Sequence, residues 1–337
     1  MVKIIILLLF VVTAELNAKF SDWNGWSACS SLCGKGTKSR ERVLKDDING
    51  TCYSTIIEKQ ECQNNCRTLR NVALGKRATA SSQFLNVYPA GMAIDGITRN
   101  SLNGKSCMHT AKDKKPWLRI DLNGNAVVEK VVIHNRADCC TERLNNLVIR
   151  IGNNATGVGN DVCGRQESMK NVEKLSVSCC NLLEGRYVHV TIPGPQFLHI
   201  CEVEVLGNMI SDLAYDKSAT QISTHSSPYV AGKALDRNTA TYTHTTSTNK
   251  PWWRVDLGKN AYIRKVIVNG HSSYAKNADV TVEDGSSKHW CGDTGSVSSK
   301  VIVVCPKMLL GRYVRIQLRT TGTLVMYEVE VLGYYPE

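Results

Sequence analysis

The strongest constraint on this chain is that it repeats itself over the length of a whole domain. Lys115-Pro116-Trp117-Leu118-Arg119-Ile120-Asp121-Leu122 returns as Lys250-Pro251-Trp252-Trp253-Arg254-Val255-Asp256-Leu257, 135 positions later. Gly185-Arg186-Tyr187-Val188 returns as Gly311-Arg312-Tyr313-Val314, and Glu202-Val203-Glu204-Val205-Leu206-Gly207 as Glu328-Val329-Glu330-Val331-Leu332-Gly333, both 126 positions on. Solenoid units are far shorter, about 20–50 residues. The repeating unit is therefore a domain. Residues 71–207 and 208–337 are read as two copies of one fold, the second having lost nine residues between the landmarks.

Inside each copy the apolar residues alternate. Leu147-Val148-Ile149-Arg150-Ile151, Tyr187-Val188-His189-Val190-Thr191-Ile192 and the Glu-Val-Glu-Val stretches read as strands, separated by Gly, Asn, Asp and Pro clusters. No helical period persists beyond a turn or two. The expectation is all-β: two tandem antiparallel sandwiches. By the same alternation Trp117, Trp252 and Trp253 are expected in the cores. Arg119 with Asp121 and Arg254 with Asp256, present in both copies, are expected to be structural ion pairs.

Residues 1–18 read as a secretory signal peptide: Lys3, the apolar run Ile4 to Val12, then Ala14 and Ala18 as cleavage points. That run is too short to span a bilayer, and no later segment approaches 18 consecutive apolar residues. A soluble protein outside the cell is expected, its 14 cysteines mostly oxidised. Asn49-Gly50-Thr51 and Asn154-Ala155-Thr156 are N-glycosylation acceptors. The net charge of +11 is spread along the chain with no basic tail. This excludes a nucleic-acid footprint and suits solubility and attraction to anionic cell-surface polymers.

Residues 19–70 hold five cysteines and few aliphatics, so they need stapling rather than a core. Trp23-x-x-Trp26-x-x-Cys29, Cys33-Gly34-x-Gly36 and Arg40-x-Arg42 resemble a thrombospondin type 1 repeat. The resemblance implies a thin three-stranded module of interleaved Trp and Arg, with disulfides among Cys29, Cys62, Cys33 and Cys66. The sixth cysteine of that family is absent, which leaves Cys52 without its usual partner. Leu32 stands where the family's O-fucosylated Ser or Thr would be, while the Trp spacing suits C-mannosylation. Lys38, Arg40 and Arg42 would carry any glycosaminoglycan binding of this module.

One constellation in the first copy carries chemistry. His109, Arg136, Asp138 and Arg143 surround the vicinal pair Cys139-Cys140. These side chains read as a fan of hydrogen-bond donors with a carboxylate to orient a guanidinium, and arginine's fork suits paired hydroxyls. A disulfide between adjacent cysteines offers an apolar wall for a sugar's carbon face. Placed polar groups against an apolar wall are the makings of a small-ligand site. The surrounding motifs resemble the F-type lectins, the eel-agglutinin family of fucose binders. They are Asn71-Val72-Ala73-Leu74-Gly75-Lys76, Ala93-Ile94-Asp95-Gly96, Cys107-x-His109-Thr110, Trp117-x-Arg119-x-Asp121, Arg136-x-Asp138-Cys139-Cys140-x-Glu142-Arg143-Leu144 and Cys201-Glu202-Val203-Glu204-Val205.

That resemblance implies a discoidin-like jelly roll in which His109, Arg136 and Arg143 bond L-fucose and Asp138 orients the arginines. It also implies a structural calcium held near Asp95, Ser106, Cys201 and Glu202, with Met92 and Ile97 supplying backbone carbonyls. It pairs Cys107 with Cys201, and Cys163 with Cys179 or Cys180. The cysteine left over has three alternatives, as has Cys52: a bridge between the two, an intermolecular disulfide, or free thiols.

In the second copy His244 keeps the His109 position, but His271, Ser273 and Ala278 are read as replacing Arg136, Asp138 and Arg143. Cys291 and Cys305 can match the Cys163 bridge. Asp236, Asn238 and Glu328 could retain a calcium. A folded copy without ordinary fucose binding is expected, with His244, His271 and Lys276 left as an open question. No zinc-protease, nucleophile-elbow or phosphate-loop motif is present. Asp138 among arginines stays ionised and is unsuited to general-acid work. The overall expectation is a non-enzymatic, secreted, calcium-containing lectin for fucosylated glycans, acting in innate immunity or in cell or gamete adhesion, with a single site whose avidity would require oligomers. The competing expectation is a matrix protein binding glycosaminoglycans through the first module.

Overall fold

The computed structural model describes residues 34–43, 55–64, 69–102, 106–285, 287–296 and 299–336. The expectations for the signal segment, Cys29, Cys33, Cys52, Cys66 and Asn49 lie outside the described residues, as do the side chains of Cys62 and Cys180. The chain divides into two units, 1–68 and 69–337.

In the first unit β1 (Gly34–Val43) pairs antiparallel with β2 (Thr55–Asn64), in a register that sets Arg40 opposite Glu58. Their side chains meet with Arg40 Nε 2.6 Å from Glu58 Oε2.

The second unit holds the two repeats. The first comprises β3 (Arg70–Asn71), β4 (Arg77–Ala80), β5 (Met108–His109), β6 (Trp117–His134), β7 (Leu147–Gly152), β8 (Asp161–Gln166), β9 (Lys174–Thr191), β10 (His199–Ile200) and β11 (Glu202–Met209). The second comprises β12 (Ser211–Asp212), β13 (Ser218–Gln221), β14 (Thr243–His244), β15 (Trp252–Gly270), β16 (Ala278–Asp284), β17 (Ser287–Asp293), β18 (Lys300–Leu318) and β19 (Val325–Tyr334). The strand orders correspond: β3-β11-β6-β9-β7-β8 with β4 on β6, and β12-β19-β15-β18-β16-β17 with β13 on β15. The N-terminal part of β6 pairs with β4 and its C-terminal part with β11, across a break in register after Asp121. One long strand thus serves both layers of the sandwich, as strands that switch sheets at irregularities do.

The period of two decides which residues make the core. In β6, Leu118, Ile120 and Leu122 are buried, and in β15 Trp253, Val255 and Leu257 take the same positions. The alternate residues face outward, which corrects the expectation for two tryptophans. Trp117 and Trp252 are half-buried on the other face, beneath the guanidinium of Arg119 at 5.8 Å and of Arg315 at 4.3 Å. Trp253 alone is a core residue, and its indole N–H donates to the Ala231 carbonyl at 2.9 Å.

The recurring Arg-x-Asp motif is structural, but its pairing differs from the expected one. Asp121 receives both arms of Arg186 at 2.7 and 2.8 Å, and Asp256 both arms of Arg312 at 2.7 Å each. Arg119 instead donates to Thr79 Oγ1 and the Ala155 carbonyl, while Arg254 lies 3.6 Å from Glu283. Arg-x-Asp neighbours project from one face in parallel, whereas Arg186 approaches Asp121 from the paired strand β9. The glycine opening each Gly-Arg-Tyr-Val motif also has a reason: a Cβ on Gly185 would stand 2.5 Å from the Gly152 backbone.

The two sandwiches touch. Val127 and Leu182 pack with Met308, Tyr262 and Tyr334, and Glu184 accepts from Lys265 Nζ at 2.5 Å with Arg264 at 3.9 Å.

Candidate functional site

The sugar-type constellation is assembled at one end of the first sandwich. β5 and β10 pair so that His109 stands opposite His199. The loop after β6 starts at Asn135, which is fully buried. Its amide donates to the carbonyls of Thr141 and Val172, and its Oδ1 accepts from the Arg136 N–H. This clamp sets where Arg136 leaves the sheet. Arg136 then grips Asp138 with two hydrogen bonds, 2.6 and 3.0 Å long. Cys139 and Cys140 are disulfide-bonded, and Cys140, at φ +63°, turns the chain into a short 3-10 turn, Thr141–Leu144. Buried Leu144 anchors that turn, and Arg143 extends from it with its guanidinium 5.0 Å from the centre of the Phe197 ring. The His109 ring lies 5.0 Å from Phe84, 5.5 Å from Phe197 and 5.7 Å from His199. Every residue singled out for sugar recognition is thus gathered here.

The electrostatics refine the roles. His109 Nδ1 lies 2.7 Å from the Thr110 carbonyl, which can only accept, so Nδ1 carries the proton and Nε2 is an acceptor. Burial lowers the His109 pKa, as do Arg143 and Arg136, against a partial opposing effect of the Thr110 carbonyl. His109 is therefore neutral at pH 7. The set is one acceptor between two guanidinium donors, and not a fan of donors. The hydrogen bonds from Arg136 hold the Asp138 carboxyl below its usual range, so the pair is fixed before any ligand arrives.

Four contributors were not anticipated. Asn135 positions Arg136, Phe84 and Phe197 wall the histidine, and His199 lies fully buried with neither ring nitrogen hydrogen-bonded in good geometry. Burial, then His109, Arg136 and Arg143, push the His199 pKa down to about 3, a contact with the Cys140 backbone offsetting part of the shift. His199 is thus an uncharged spacer that adds no positive charge beneath the arginines. The chain has only four phenylalanines and two of them flank His109, which is a usable signal. A lone His199 is not.

The cysteine pairs described are Cys107–Cys201, Cys139–Cys140, Cys163–Cys179 and Cys291–Cys305. Cys163 thus takes the first of its two candidate partners. Asn154 is exposed, its Oδ1 accepting from the Thr156 N–H and hydroxyl.

The residues proposed around calcium suit a hard cation. Glu202 is fully buried, accepts from the Gly96 N–H at 3.2 and 3.3 Å, and is pushed up to about 7 by burial and by the carboxylates of Asp95 and Glu204, against the partial opposing effect of the Gly96 and Asp95 backbone. The Ser106 hydroxyl sits 2.8 and 2.9 Å from the Arg99 and Ser101 carbonyls. Asp95 adds a second carboxylate, and Met92, Ile97 and Cys201 can contribute only backbone oxygens. The second copy repeats the pattern. The Thr241 hydroxyl lies within 3.0 Å of both Asp236 oxygens and the Asn238 carbonyl, although it has one hydrogen to give. Burial, first of all, pushes Glu328 up to about 7, and its Oε2 is buried without a partner. Such unsatisfied oxygens are what an oxygen-coordinated cation would satisfy.

At the sugar end the second copy is rebuilt. His225 stacks on His244 at 4.4 Å, Tyr229 on Tyr242 at 4.6 Å, and Tyr327 meets Tyr242 edge-on at 5.8 Å. Tyr242 and Tyr327 occupy the positions of Cys107 and Cys201, so a ring contact stands where the first copy has a disulfide. Ala278 does not replace Arg143. Asp279 faces Gln317 as Val148 faces Thr191, which aligns Ala278 with Leu147. Counted back from that register, buried Ala275 takes the place of Leu144 and Tyr274 that of Arg143, the Tyr274 N–H donating to the His271 carbonyl as the Arg143 N–H does to that of Cys140. The residues lost from the shorter loop lie before this turn. His271 stacks with Tyr274 at 4.8 Å.

Two copies of one antiparallel sandwich, with a polar cluster at the loop end of the first, define a tandem protein of the F5/8 type C class. Residues 92–190 match the NedA-like, galactose-binding domain family, residues 218–329 the F5/8 type C domain, and residues 21–66 the thrombospondin type 1 domain. The chain is 37% identical over 144 residues to a fucolectin of Anguilla anguilla, covering 41% of this chain and 91% of that protein. It is 35% identical over 178 residues to a pentraxin fusion protein of Xenopus laevis, spanning 51% of this chain and 42% of the relative's length. Among solved structures it is similar to an F-lectin (fucolectin) from striped bass (Morone saxatilis) serum, at 33% identity and a TM-score of 0.56, covering 80% of this chain and 99% of that one. The chain belongs to the fucolectin, or F-type lectin, family, in tandem form and with a thrombospondin type 1 repeat before it.

Proposed function

We propose that this protein is a secreted, calcium-containing lectin that binds terminal L-fucose at the first copy and recognises fucosylated surfaces in immunity or adhesion. The observation that carries the reading is the neutral His109 acceptor flanked by Arg136 and Arg143, against the Cys139–Cys140 disulfide and the Phe84 and Phe197 rings. Cis-disposed sugar hydroxyls both donate and accept, so one fixed acceptor between two charged donors matches them. Similarity to lectins supports a binder rather than a catalyst. The four disulfides among the described residues agree with an oxidising compartment. No helix among the described residues is long and apolar enough to cross a membrane. A lone sugar site binds weakly, so avidity on a glycan surface calls for several chains together. Retention on immobilised L-fucose, with elution by free fucose, is the test.

Acid should switch the site off. The His109 pKa is lowered from 6.5, so the ring stays neutral down to below that pH. Protonation would convert Nε2 from acceptor to donor and add a third cation beside the arginines. Affinity for fucose is expected to be flat from pH 8 to 6.5 and to fall on further acidification. Titration calorimetry across pH would show this, and a loss that begins above pH 7 would contradict the assignment.

Calcium is proposed to bind at Asp95, Ser106, Cys201 and Glu202, with Met92 and Ile97 carbonyls, and at Asp236, Asn238 and Glu328. A cation present at a hundredfold its dissociation constant stabilises the folded state by about 2.7 kcal/mol. EDTA should therefore lower the melting temperature by several degrees, and calcium but not magnesium should restore it. A melt unmoved by EDTA would remove the ion from the reading.

A further inference from the structure

The outer face of the first sandwich carries a concavity of about 890 Å³ whose lining includes none of His109, Arg136, Asp138, Cys139, Cys140 or Arg143. Its walls include Lys115, Trp117, Arg150, Arg165 and the Thr156–Gly159 turn, with His189 among the lining residues, and no acidic residue lines it. Among the described residues no carboxylate pairs with Lys115, Arg150 or Arg165, and Arg150 is held in place through the Asn160 carbonyl at 2.8 Å. His189 is 4% exposed, and its Nε2 is buried with no hydrogen-bond partner. Gly157 rests on its ring so closely that a Cβ would lie 2.9 Å away. Trp117 is half-buried and presents an indole to the same concavity.

The second copy acts as an internal control, because the same face there is closed by acids. By strand register, Asp279 stands at the place of Val148, Asp293 at that of Arg165, and Glu283 at that of Gly152. Arg319 bridges Asp279 and Asp293 at 2.7 and 2.8 Å, and Arg254 and Lys288 approach Glu283. The turn after β16 is also shorter, so no wall like Thr156–Gly159 is raised. The scaffold therefore does not require an open basic face; the first copy alone has one.

We infer that this face of the first sandwich is a second saccharide site, for an anionic pyranose bearing sulfate or carboxylate groups. An aromatic wall with a few placed polar groups suits a sugar ring. Unpaired Lys115 and Arg165 and the held Arg150 suit its negative groups, arginine's fork matching sulfate and carboxylate alike. The volume accommodates a short oligosaccharide. This lining shares no residue with the proposed fucose site.

The test measures binding of the full-length protein to a size-defined heparin oligosaccharide and to a carboxylate-only hyaluronan oligosaccharide, with neutral, fully N-acetylated chitotriose beside them. Arg165→Asp, which installs the second copy's residue, should weaken the anionic ligand by about tenfold. Trp117→Ala should also weaken it, and both variants should keep retention on L-fucose, which shows that they fold. Preference for heparin over hyaluronan would assign sulfate, and the reverse carboxylate. Three results would overturn the site: equal binding of chitotriose, anionic binding unchanged by Arg165→Asp and Trp117→Ala, or loss of that binding only on mutating Lys38, Arg40 and Arg42 in the first module.

Discussion

Arg136→Ala is expected to abolish retention of the protein on immobilised L-fucose. Arg136 is both a guanidinium donor and the partner that pins Asp138. Its removal takes away charge-assisted bonds worth roughly 1.5–3 kcal/mol each and frees a carboxylate next to the sugar's acceptor oxygens. A loss of at least about a hundredfold follows if two bonds go. Asp138→Asn separates the two contributions: the arginine remains but is less tightly aimed, so a smaller loss is expected. Arg136 and Asp138 lie on the loop after β6 and are not buried, so both variants should melt near the parent temperature. A folded Arg136→Ala protein that stays on the column would move sugar binding elsewhere in the chain.

Trp253→Ala should be the most destabilising substitution in the second copy. Trp253 is fully buried, heads the large side chains of that core and satisfies the Ala231 carbonyl. Deleting a buried aromatic costs about 3–5 kcal/mol. Its neighbour Trp252 faces outward under Arg315, so Trp252→Ala should cost far less, about 1 kcal/mol from the lost cation–π contact and partial burial. Chemical denaturation of the pair is therefore a direct test of strand facing. Equal costs would mean that the face assignment is wrong.

That neighbouring pair also shows how far the sequence could be read. Tandem copies, strands and an antiparallel sandwich were legible because landmark motifs and alternation survive in both halves. Which of Trp252 and Trp253 faces inward was not, since two adjacent aromatics satisfy a period of two in either register. The Arg-x-Asp pairing was misread for a related reason. Residues two apart share a face and invite pairing, but the partner of Asp121 arrives from a strand 65 positions away. That His109, Arg136, Asp138, the vicinal cysteines and Arg143 come together was legible from their residue types and from the motifs that carry the family resemblance. The acceptor role of His109 was not, because it depends on the Thr110 carbonyl. Asn135 and His199 were hidden as well, since single polar residues in a loop and a two-residue strand leave no pattern. Ala278 was aligned with Arg143 by counting, and only the strand register located the gap.

The exchange of Cys107–Cys201 for Tyr242 against Tyr327 makes the two halves answer differently to a reducing environment. In the first copy two redox-sensitive bonds adjoin the His109 cluster: Cys107–Cys201, fully buried, with Cys107 two residues before His109, and Cys139–Cys140, which lies within the cluster. In the second copy the equivalent join is a pair of rings, inert to electrons, and Cys291–Cys305, which ties β17 to β18, is its one disulfide among the described residues. Recognition would thus fail on entry into a cytosol-like milieu while the companion sandwich kept its shape, leaving a protein that is folded in part and blind.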